Sequence, residues 1–542
     1  MNQKKSFRLL TLLCLLCATL RFTAHGDETR KFTLPPEKSP TIFGWAAVLS
    51  GDSAVISDPG LRVQAGTAHV LDINTGQVTR TLSPSVSRVD DLFGFDMDIG
   101  RNRVAIGAPA NPFATNPLPG AVNVFDLSTG VELSRLLPSD STGGDEFGFS
   151  TAMSGNLLAV GAPALGEMPG RAYLFNAATG SELFKLQPSQ SAVGNEFGWD
   201  LDVSEDYVVV GAPGTYDEND PGVNLGAAYV FNTTTGQQVR KLLPKSMSPG
   251  SEFGFAIGVS GNRAVVGSPE GAASLRGAAY VFDITTGEEL YKLRPSDSRV
   301  DDDFGAAIDV FGNIAAIGAR GQGTVSGAVY LFDITTGQEI TKLTPSDLGN
   351  KDKFGSALAL GADRLIVGSP NDIDPAQNLT TGSAYLFDLD IGITGDFNKD
   401  GVLDALDIDD LTAQLRGGAN PSDYDLNSDG VVNQTDREIW VEQLANTYFG
   451  DSNFDGQFDT GDLVTVFSAA EYEDGIANNS TWAEGDWDGD GDFGSGDLVF
   501  VFKRNEYEIG PRATHAVPEP TLGFMSIASF ICVGSRFRRR SQ

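Results

Sequence analysis

Short apolar runs alternate with turns along most of the chain, and this arrangement repeats. Seven Phe-Gly pairs recur at intervals of 50 to 56 residues, and they begin at Phe43, Phe93, Phe147, Phe197, Phe253, Phe304 and Phe354. After most pairs the order is the same: a Gly-Asn type turn, an apolar run ending in Gly-Ala-Pro or Gly-Ser-Pro, a variable loop, an Ala-Tyr-Val-Phe-Asp run, a Thr-Gly turn and Lys-Leu-x-Pro. Each repeat therefore predicts one supersecondary unit.

The fifth unit illustrates the predicted strands. Residues 253–259 alternate in polarity, and a short β-type run at 264–266 stops before Pro269. Two more strand candidates, at 278–283 and 288–293, flank a Thr-Gly hairpin loop. Units of four antiparallel strands and about 50 residues are typical of propeller blades. We therefore predict a mainly β fold, a seven-bladed β-propeller, followed by a small α-helical module.

The two ends of the repeat region predict how the ring closes. The seventh unit ends with the third strand at 384–388, and no Lys-Leu-x-Pro strand follows. Lys31-Phe32-Thr33-Leu34-Pro35 precedes the first Phe-Gly pair and has no partner in its own unit. We expect this segment to supply the missing fourth strand, which removes two sheet edges. Deleting residues 31–36 should then open the ring.

These residues resemble the FG-GAP repeat family, which is familiar from integrin α-subunit heads and bacterial surface proteins, over residues 29–390. The resemblance implies a propeller and, by analogy of fold, adhesion. The first unit has Ser57-Asp58-Pro59 and the sixth Gly318-Ala319-Arg320 where Gly-Ala-Pro is expected. Integrin-type units carry an acidic calcium loop, whereas this chain has tight turns such as 154–156. The blades therefore lack the calcium loop of the integrin type in the sequence.

Variable loops on one face are the expected place for binding, because packing does not fix them. The longest are 110–120, 214–226 and 371–382. The same face should carry acids that precede the Phe-Gly pairs; these are Asp91, Asp145, Glu146, Glu196, Glu252, Asp302, Asp303 and Asp352. They form a candidate ligand face for a cation or sugar hydroxyls, or they are solvated loop acids and turn caps. His69 lies in a strand pattern, where a packing role is expected.

Charge separates the C-terminal region from the repeats. The 542-residue chain has a formal net charge of -34, and residues 393–510 contain 27 acidic against 5 basic residues. This asymmetry indicates a separate acidic module, and it argues against nucleic acid as a partner.

Four twelve-residue loops in this acidic region carry oxygen ligands at positions 1, 3, 5 and 12, with Gly at position 6. Calcium takes several oxygens at about 2.3–2.6 Å, and residue 7 gives its carbonyl. In chain order, the candidate ligands of loop 1 are Asp396, Asn398, Asp400, Val402, Asp404 and Asp407; of loop 2, Asp425, Asn427, Asp429, Val431, Asn433 and Asp436; of loop 3, Asp451, Asn453, Asp455, Gln457, Asp459 and Asp462; of loop 4, Asp486, Asp488, Asp490, Asp492 and Asp497. Position 9 of loop 4 is Gly494, where water would have to substitute. Without metal these carboxylates repel one another, so calcium should couple to folding.

Asp at position 12 and the apolar runs 408–415 and 439–444 make residues 393–446 resemble a type I dockerin. The resemblance implies calcium as the cofactor and a cohesin-like domain as partner. A second loop pair at 447–510 resembles dockerin only in its loops. Whether the two pairs form one module stays open at this point.

Both chain ends read as targeting segments. Residues 1–26 place basic residues before an apolar run, which predicts a secretory signal peptide. The three cysteines lie at Cys14, Cys17 and Cys532, so neither disulfides nor thiols serve the body of the protein. Residues 511–542 join Val-Pro-Glu-Pro, an apolar run and a basic end, and they resemble the PEP-CTERM sorting signal that an exosortase processes. A simple tail anchor is the alternative.

These features favour a non-catalytic bacterial surface or matrix protein that binds a surface protein or polysaccharide through its propeller face. A polysaccharide-active enzyme with paired carboxylates at the propeller mouth is a second hypothesis. A purely structural matrix component is a third. No nucleophile motif, phosphate loop or zinc cluster stands out in the sequence.

Overall fold

The computed structural model describes residues 28–510, apart from 35–40, 61–64, 111–117, 165–167, 191, 217–222, 270–275, 322–325, 348, 350, 375–378, 390–394, 399–402, 419, 422 and 428. The predicted signal peptide and sorting tail lie outside the described residues, as do Asp400 and Val402 of loop 1. The chain divides into two compact units, Met1–Val402 and Leu403–Gln542.

In the described residues, the first unit contains seven four-stranded antiparallel sheets. The first three are β2 (Ala47–Ser50), β3 (Ser53–Asp58), β4 (Thr67–Asp72) and β5 (Val78–Leu82); β6 (Met97–Gly100), β7 (Arg103–Ala108), β8 (Ala121–Asp126) and β9 (Glu132–Leu136); and β10 (Thr151–Ser154), β11 (Leu157–Ala162), β12 (Arg171–Asn176) and β13 (Ser181–Leu186). The next three are β14 (Leu201–Val203), β15 (Tyr207–Ala212), β16 (Ala227–Asn232) and β17 (Gln238–Leu242); β18 (Ile257–Ser260), β19 (Arg263–Ser268), β20 (Ala278–Asp283) and β21 (Glu289–Leu293); and β22 (Phe304–Phe311), β23 (Ile314–Ala319), β24 (Ala328–Asp333) and β25 (Gln338–Leu343). The seventh joins β26 (Ala357–Leu360), β27 (Arg364–Ser369), β30 (Ser383–Asp388) and β1 (Arg30–Phe32), with a small hairpin of β28 (Ile373–Asp374) and β29 (Leu379–Thr380) between β27 and β30.

The first strands of successive sheets are neighbours all the way round, and β26 lies next to β2. Each sheet is therefore one blade, with its first strand innermost. The core lies in the seams between blades: Phe147, for example, is buried among Val122 of the second blade and Val160 of the third. The predicted seven-bladed propeller is confirmed.

The last blade is completed by the N-terminal strand. Arg30 pairs with Leu386 and Phe32 with Ala384, so β1 is the outermost strand beside β30. Phe32 is 2% exposed, and Lys31 pairs with Asp347 and Asp372, each at 2.6 Å. The ring thus closes with strands from both ends of the unit, as the sequence predicts.

A second set of contacts links the outer edges of neighbouring blades. In each contact, which we call an outer latch, the acceptor is a side-chain oxygen at or just before the start of one blade's outermost strand. The donor is a backbone NH just after the outermost strand of the preceding blade. The donor and acceptor residues are Ser85 and Glu132, Ser139 and Glu182, Ser189 and Gln238, Lys245 and Glu289, Ser296 and Glu339, and Ser346 and Glu28. Glu28 therefore gives the last blade the same latch as the others, although it comes from the opposite end of the unit.

The second unit is helical in its described part. Its helices are α1 (Ala405–Gly417), α2 (Gln434–Ile439), α3 (Thr460–Ala469) and α4 (Ser495–Phe502), with a π-helical turn at Trp440–Leu444 and a 3-10 turn at Trp482–Glu484. Among the described residues, no helix has the length and apolar character that a membrane span requires. The predicted fold class, a propeller followed by a small helical module, is confirmed.

The two loop pairs of this unit share one core. Trp440 packs against Phe454 with ring centroids 6.0 Å apart, and the backbone NH of Trp482 donates to the Asp409 carboxylate at 2.8 Å. Because these contacts cross from the first pair to the second, the pairs form one compact module, which answers the question that the sequence leaves open.

Candidate functional sites

The Phe-Gly pairs build the seams of the propeller. Phe197 is fully buried and meets Tyr229 and Phe231 edge to face, both with centroids 5.7 Å apart. Gly198 has φ +94°, and a Cβ there would lie 2.3 Å from the Arg171 carbonyl oxygen. Glycine is therefore required by both backbone conformation and close approach, and these pairs have a structural role.

The acids two residues before the phenylalanines hold turns together. Asp145 accepts hydrogen bonds from the backbone NH groups of Thr142 at 2.9 Å and of Phe147 at 3.2 Å. Asp302 accepts from the NH of Arg299, and Asp352 from that of Gly349 at 2.5 Å. Their role is that of turn caps, which is the alternative that the sequence leaves open for them.

Asp91 occupies the same position in the second blade. Its carbonyl accepts from the Ala110 NH at 3.1 Å, and burial raises the pKa of its carboxyl group. Gly120, at the other end of the loop that begins at Ala110, donates its NH to Asp145 at 3.3 Å. The described ends of this variable loop therefore meet the Phe-Gly turns, as expected for a shared face.

Three of the acids directly before the phenylalanines interact electrostatically from one blade to the next. Glu146, Glu196, Glu252 and Asp303 all have positive φ, between 50° and 59°. Burial raises the pKa of Glu196 and of Glu252. The negative charge of Glu252 raises the pKa of Glu196 further, and the negative charge of Asp303 does the same for Glu252. Asp303 also binds Arg320, whose Nε lies 2.7 Å from its Oδ2. Of the candidate ligand face, the structure thus brings Glu196, Glu252 and Asp303 together.

An aromatic crescent lines the mouth of the central channel, and sequence analysis missed it. It consists of the residues two after each Phe in the first five blades: Trp45, Phe95, Phe149, Trp199 and Phe255. Neighbouring ring centroids are 5.5, 4.7, 5.0 and 5.3 Å apart, with tilts of 47° to 49°. An aromatic residue at a fixed offset in five repeats was a signal that could have revealed it.

The crescent is interrupted in the last two blades, where Ala306 and Ser356 take the aromatic position. The Arg320 guanidinium lies over Phe255, 5.3 Å from its centroid, at this interruption. Lys353 lies in the same region and donates to the Gly321 carbonyl at 2.6 Å. The aromatic crescent, the two cationic side chains and the innermost strands line one cavity of about 1090 Å³. The mouth is therefore aromatic around five blades and cationic at the gap.

Deeper in the channel, aspartates of the innermost strands connect alternate blades to their neighbours; sequence analysis missed these too. Asp98 accepts from the Met153 NH at 2.5 Å, Asp202 from the Val259 NH at 2.6 Å, and Asp309 from the Leu360 NH at 2.6 Å. The signal in the sequence is an alternation. Five residues after the Phe, the seven units have Val48, Asp98, Ala152, Asp202, Gly258, Asp309 and Ala359.

Burial raises the pKa of each of these aspartates, to about 8 for Asp202 and about 6 for Asp309. Asp96 and Asp200 also bond across to the next blade, through the NH groups of Thr151 and Ile257. Because these carboxylates are committed to backbone donors, they act as ties between blades.

In the second unit, every predicted calcium loop leads into a helix in the same way. Position 9 is the residue before the helix, and Asp404, Asn433 and Asp459 there cap α1, α2 and α3. Capping is a role that the sequence analysis did not assign to them. Position 12 lies in the first helical turn; its residues are Asp407, Asp436, Asp462 and Asp497, all at most 1% exposed. Acids at helix N-termini are favoured by the helix dipole.

Loops 2 and 3 have the same internal geometry. Asp425 accepts from the NH groups of Asp429 at 3.1 Å and Gly430 at 2.7 Å. Asp451 accepts in the same way from Asp455 at 3.2 Å and Gly456 at 2.9 Å. At position 3, the amides of Asn427 and Asn453 donate to Asp429 and Asp455. The position 7 residues Val431 and Gln457 donate their backbone NH groups to the position 5 acids.

Loop 4 is built from more carboxylates. Oxygens of Asp486, Asp488 and Asp497 lie within 4.8 Å of one another. Asp490 accepts from the Asp492 NH at 3.0 Å, and Asp492 accepts from the Asn478 NH at 2.5 Å. Gly494, at position 9, offers no side-chain ligand. Within the part of the chain that the structure describes, this is where three acidic side chains come closest to a ready-made metal cluster.

Loop 1 spans the division between the two units. Asp396 is half-buried and Asn398 exposed, on the propeller side. Asp404 and Asp407 form the capping box of α1 in the helical unit.

The chemistry of loops 3 and 4 fits a hard divalent cation. Burial, reinforced by neighbouring carboxylates, raises the pKa of Asp451 and of Asp497 to about 6. Such crowding of oxygens is relieved by a cation, and calcium accepts six to eight oxygen ligands. When bound, calcium would supply a fixed positive charge that holds each loop closed.

Two family models match the chain. The FG-GAP repeat matches residues 131–175, 181–231, 237–282, 288–332 and 338–387. The type I dockerin domain matches residues 394–444. No curated protein matches the chain. The chain therefore contains FG-GAP repeats and a dockerin-type segment, and the loop pair at 447–510 lies beyond the dockerin match.

Proposed function

We propose that this is a non-catalytic extracellular protein that attaches through calcium-dependent docking of its helical unit and binds a second partner at the propeller mouth. The observation that carries the docking proposal is the repeated loop geometry, in which an oxygen-rich loop ends in a capped helix with a buried aspartate at position 12. The match to a dockerin-type segment supports a cohesin-like domain as the docking partner.

Binding of the full chain to a panel of cohesin domains, with calcium and with a chelator, tests this proposal. Binding that requires calcium supports it. The variant Asp436→Asn, which removes one buried charge of loop 2, should weaken docking. If no cohesin binds in calcium, the docking role is wrong and the calcium loops only stabilise the unit.

For the propeller we propose binding of a surface protein or a polysaccharide. The aromatic crescent supports it, because aromatic rings bury large apolar area and also stack against sugar faces and cations. Trp199→Ala should weaken binding to a matrix extract or glycan panel, with exposed Val239→Ala, on the outer edge, as the control.

The alternative of a polysaccharide-active enzyme needs two carboxylates that share one substrate. Asp145, Asp302 and Asp352 accept from backbone NH groups, and Asp303 binds Arg320. Glu196 and Glu252, whose charges interact, are a pair that such an enzyme could use. Polysaccharide cleavage that Glu252→Gln abolishes would overturn the non-catalytic proposal. A purely structural matrix role predicts no saturable ligand at all.

Export and sorting remain part of the proposal. Exosortase-type processing would remove the tail at residues 511–542, and the mass of the mature protein in its native host would show whether the tail is retained.

A further inference from the structure

Loop 4 differs from loops 2 and 3 in the charge it carries. It contains five aspartates, whereas loop 3 contains four and loop 2 three. Its position 3 is Asp488, where the other loops have asparagine. Like charges this close repel strongly in a partly buried site. Loop 4 therefore needs more nearby positive charge than loops 2 and 3 to offset the repulsion among its carboxylates.

Arg416, in the last turn of α1, provides part of this compensation. Its Nη1 lies 3.0 Å from Asp486 Oδ2. The guanidinium also lies against the glycine at position 6, since a Cβ on Gly491 would be only 2.6 Å from Arg416 Nη1. A side chain from the first loop pair thus reaches the first ligand position of the fourth loop.

Arg437, which follows Asp436 in α2, lies on the same loop. It is fully buried, donates to the Trp487 carbonyl at 3.2 Å, and would be 2.5 Å from a Cβ on Gly489. Burial lowers its pKa to about 10, and the charges of Asp486 and Asp488 oppose that fall. Two arginines of the first loop pair therefore face the carboxylates of loop 4.

The first aspartates of loops 2 and 3 have a different environment. Asp425 and Asp451 each accept two hydrogen bonds from the backbone of their own loop. Within the described residues, neither forms an ion pair with a lysine or arginine. In loop 4, Asp486 Oδ1 accepts from the Gly489 NH at 2.9 Å, and Oδ2 is taken by Arg416.

We infer that Arg416 is a built-in counter-ion of loop 4 that competes with calcium for Asp486, so that calcium at loop 4 is coupled to helix α1 of the first loop pair. This inference rests on the proposed calcium binding. A guanidinium and a calcium ion on one carboxylate repel each other, and the cost at about 5 Å, with water-like dielectric and screening at physiological ionic strength, corresponds to roughly three- to tenfold in affinity. The arginine therefore stabilises loop 4 without metal and lowers its affinity for metal.

Calcium titration of the full chain by calorimetry, together with Trp fluorescence, tests the inference. Arg416→Gln should increase the affinity of one calcium site about three- to tenfold and lower the melting temperature of the calcium-free helical unit. Arg416→Lys should retain the wild-type affinity, because it keeps the charge. Lys503→Gln removes the same charge at an exposed position of the same unit and should change neither quantity.

Asp497→Asn separates this inference from the proposed function. It should remove one calcium ion from the stoichiometry and abolish the effect of Arg416→Gln. If it binds as many ions as the wild type, loop 4 is not a calcium site and both proposals fail for that loop. If it loses one ion, but Arg416→Gln leaves the affinity unchanged or weaker, Arg416 only positions Asp486 and the inference is wrong.

Arg416→Gln could unfold the calcium-free unit. Release of calcium from the loaded protein into a chelator is then the deciding measurement. One release phase should be about three- to tenfold slower than in the wild type, and an unchanged or faster phase overturns the inference.

Discussion

In the propeller, the partly buried aspartates of the channel reach donors on the next blade, whereas in the helical unit the aspartates of loop 4 converge on one another. Asp98 and Asp202 each accept from a neighbouring backbone NH, while Asp486, Asp488 and Asp497 cluster within 4.8 Å. A carboxylate that accepts from an NH group of the next blade is a structural tie, whereas carboxylates whose oxygens converge offer several ligands to one cation. Acid content by itself therefore does not identify a metal site; the convergence of carboxylate oxygens does.

The largest expected effect comes from removing the strand that closes the propeller. Deleting residues 28–34 removes β1, the Glu28 latch and buried Phe32. Loss of a buried Phe side chain alone costs about 3–5 kcal/mol, so the propeller should lose its cooperative unfolding transition. Calorimetry measures this, and the transition of the helical unit should persist. An unchanged propeller transition would show that the ring does not depend on this strand.

Calcium removal should act on the other unit. At a thousandfold excess over Kd, each bound ion stabilises by about 4 kcal/mol. A chelator should therefore lower the melting temperature of the helical unit and leave that of the propeller unchanged. Calorimetry of the full chain in calcium and in chelator resolves the two transitions. If the chelator lowers the melting temperature of the propeller instead, calcium binds to the propeller and the prediction is wrong.

A smaller effect is expected from Asp202→Asn in the channel. The folded-state pKa of Asp202 is raised to about 8 by burial, so the wild-type propeller loses stability as the pH rises from about 4 to about 8. Asparagine cannot ionise, and at about 1.4 kcal/mol per pKa unit the variant should gain up to about 5 kcal/mol relative to the wild type across this window, with no further gain above it. Urea unfolding at several pH values measures the gain. Asp206→Asn, at an exposed position, is the control, and an equal gain there would contradict the prediction.

The smallest effect is expected at the outer latches. Glu182→Gln should change propeller stability by less than about 0.5 kcal/mol, because Gln238 makes the same hydrogen bond in the fourth blade at 2.7 Å. Glu182→Ala removes the acceptor and should cost about 1 kcal/mol. Denaturant midpoints compare the two variants. A large loss in the Gln variant would mean that the latch requires a charge.

The repeat pattern was sufficient to predict the blades, since turn residues and apolar runs are local signals. It also predicted that β1 completes the last blade, because one unit lacked a strand and one strand lacked a unit. The partners of Asp98 and Arg416 could not be predicted in this way. Asp98 bonds to Met153 and Arg416 to Asp486, and such pairs depend on how elements distant in sequence pack together.

The calcium loops show both sides of this limit. The candidate ligand positions follow from the spacing along one loop. In the structure, each position 12 acid is buried in the first turn of its own helix. The capping role of Asp404, Asn433 and Asp459 depends on where each helix begins, and boundaries are poorly fixed by sequence. The aromatic crescent, by contrast, follows directly from the sequence, because Trp or Phe lies two residues after the Phe of the Phe-Gly pair in five repeats.

The N-terminal strand also determines when the fold can be finished. Thr29 donates to Asp388, a residue 359 positions later, so the strand that is synthesised first among the described strands is the last to find its partner. Five or six blades can form in turn from contacts within about 50 residues, but the ring stays open until the seventh blade has been made. Contacts this distant in sequence slow folding, and during synthesis β1 is an unpaired edge that must be kept from pairing with the wrong blade.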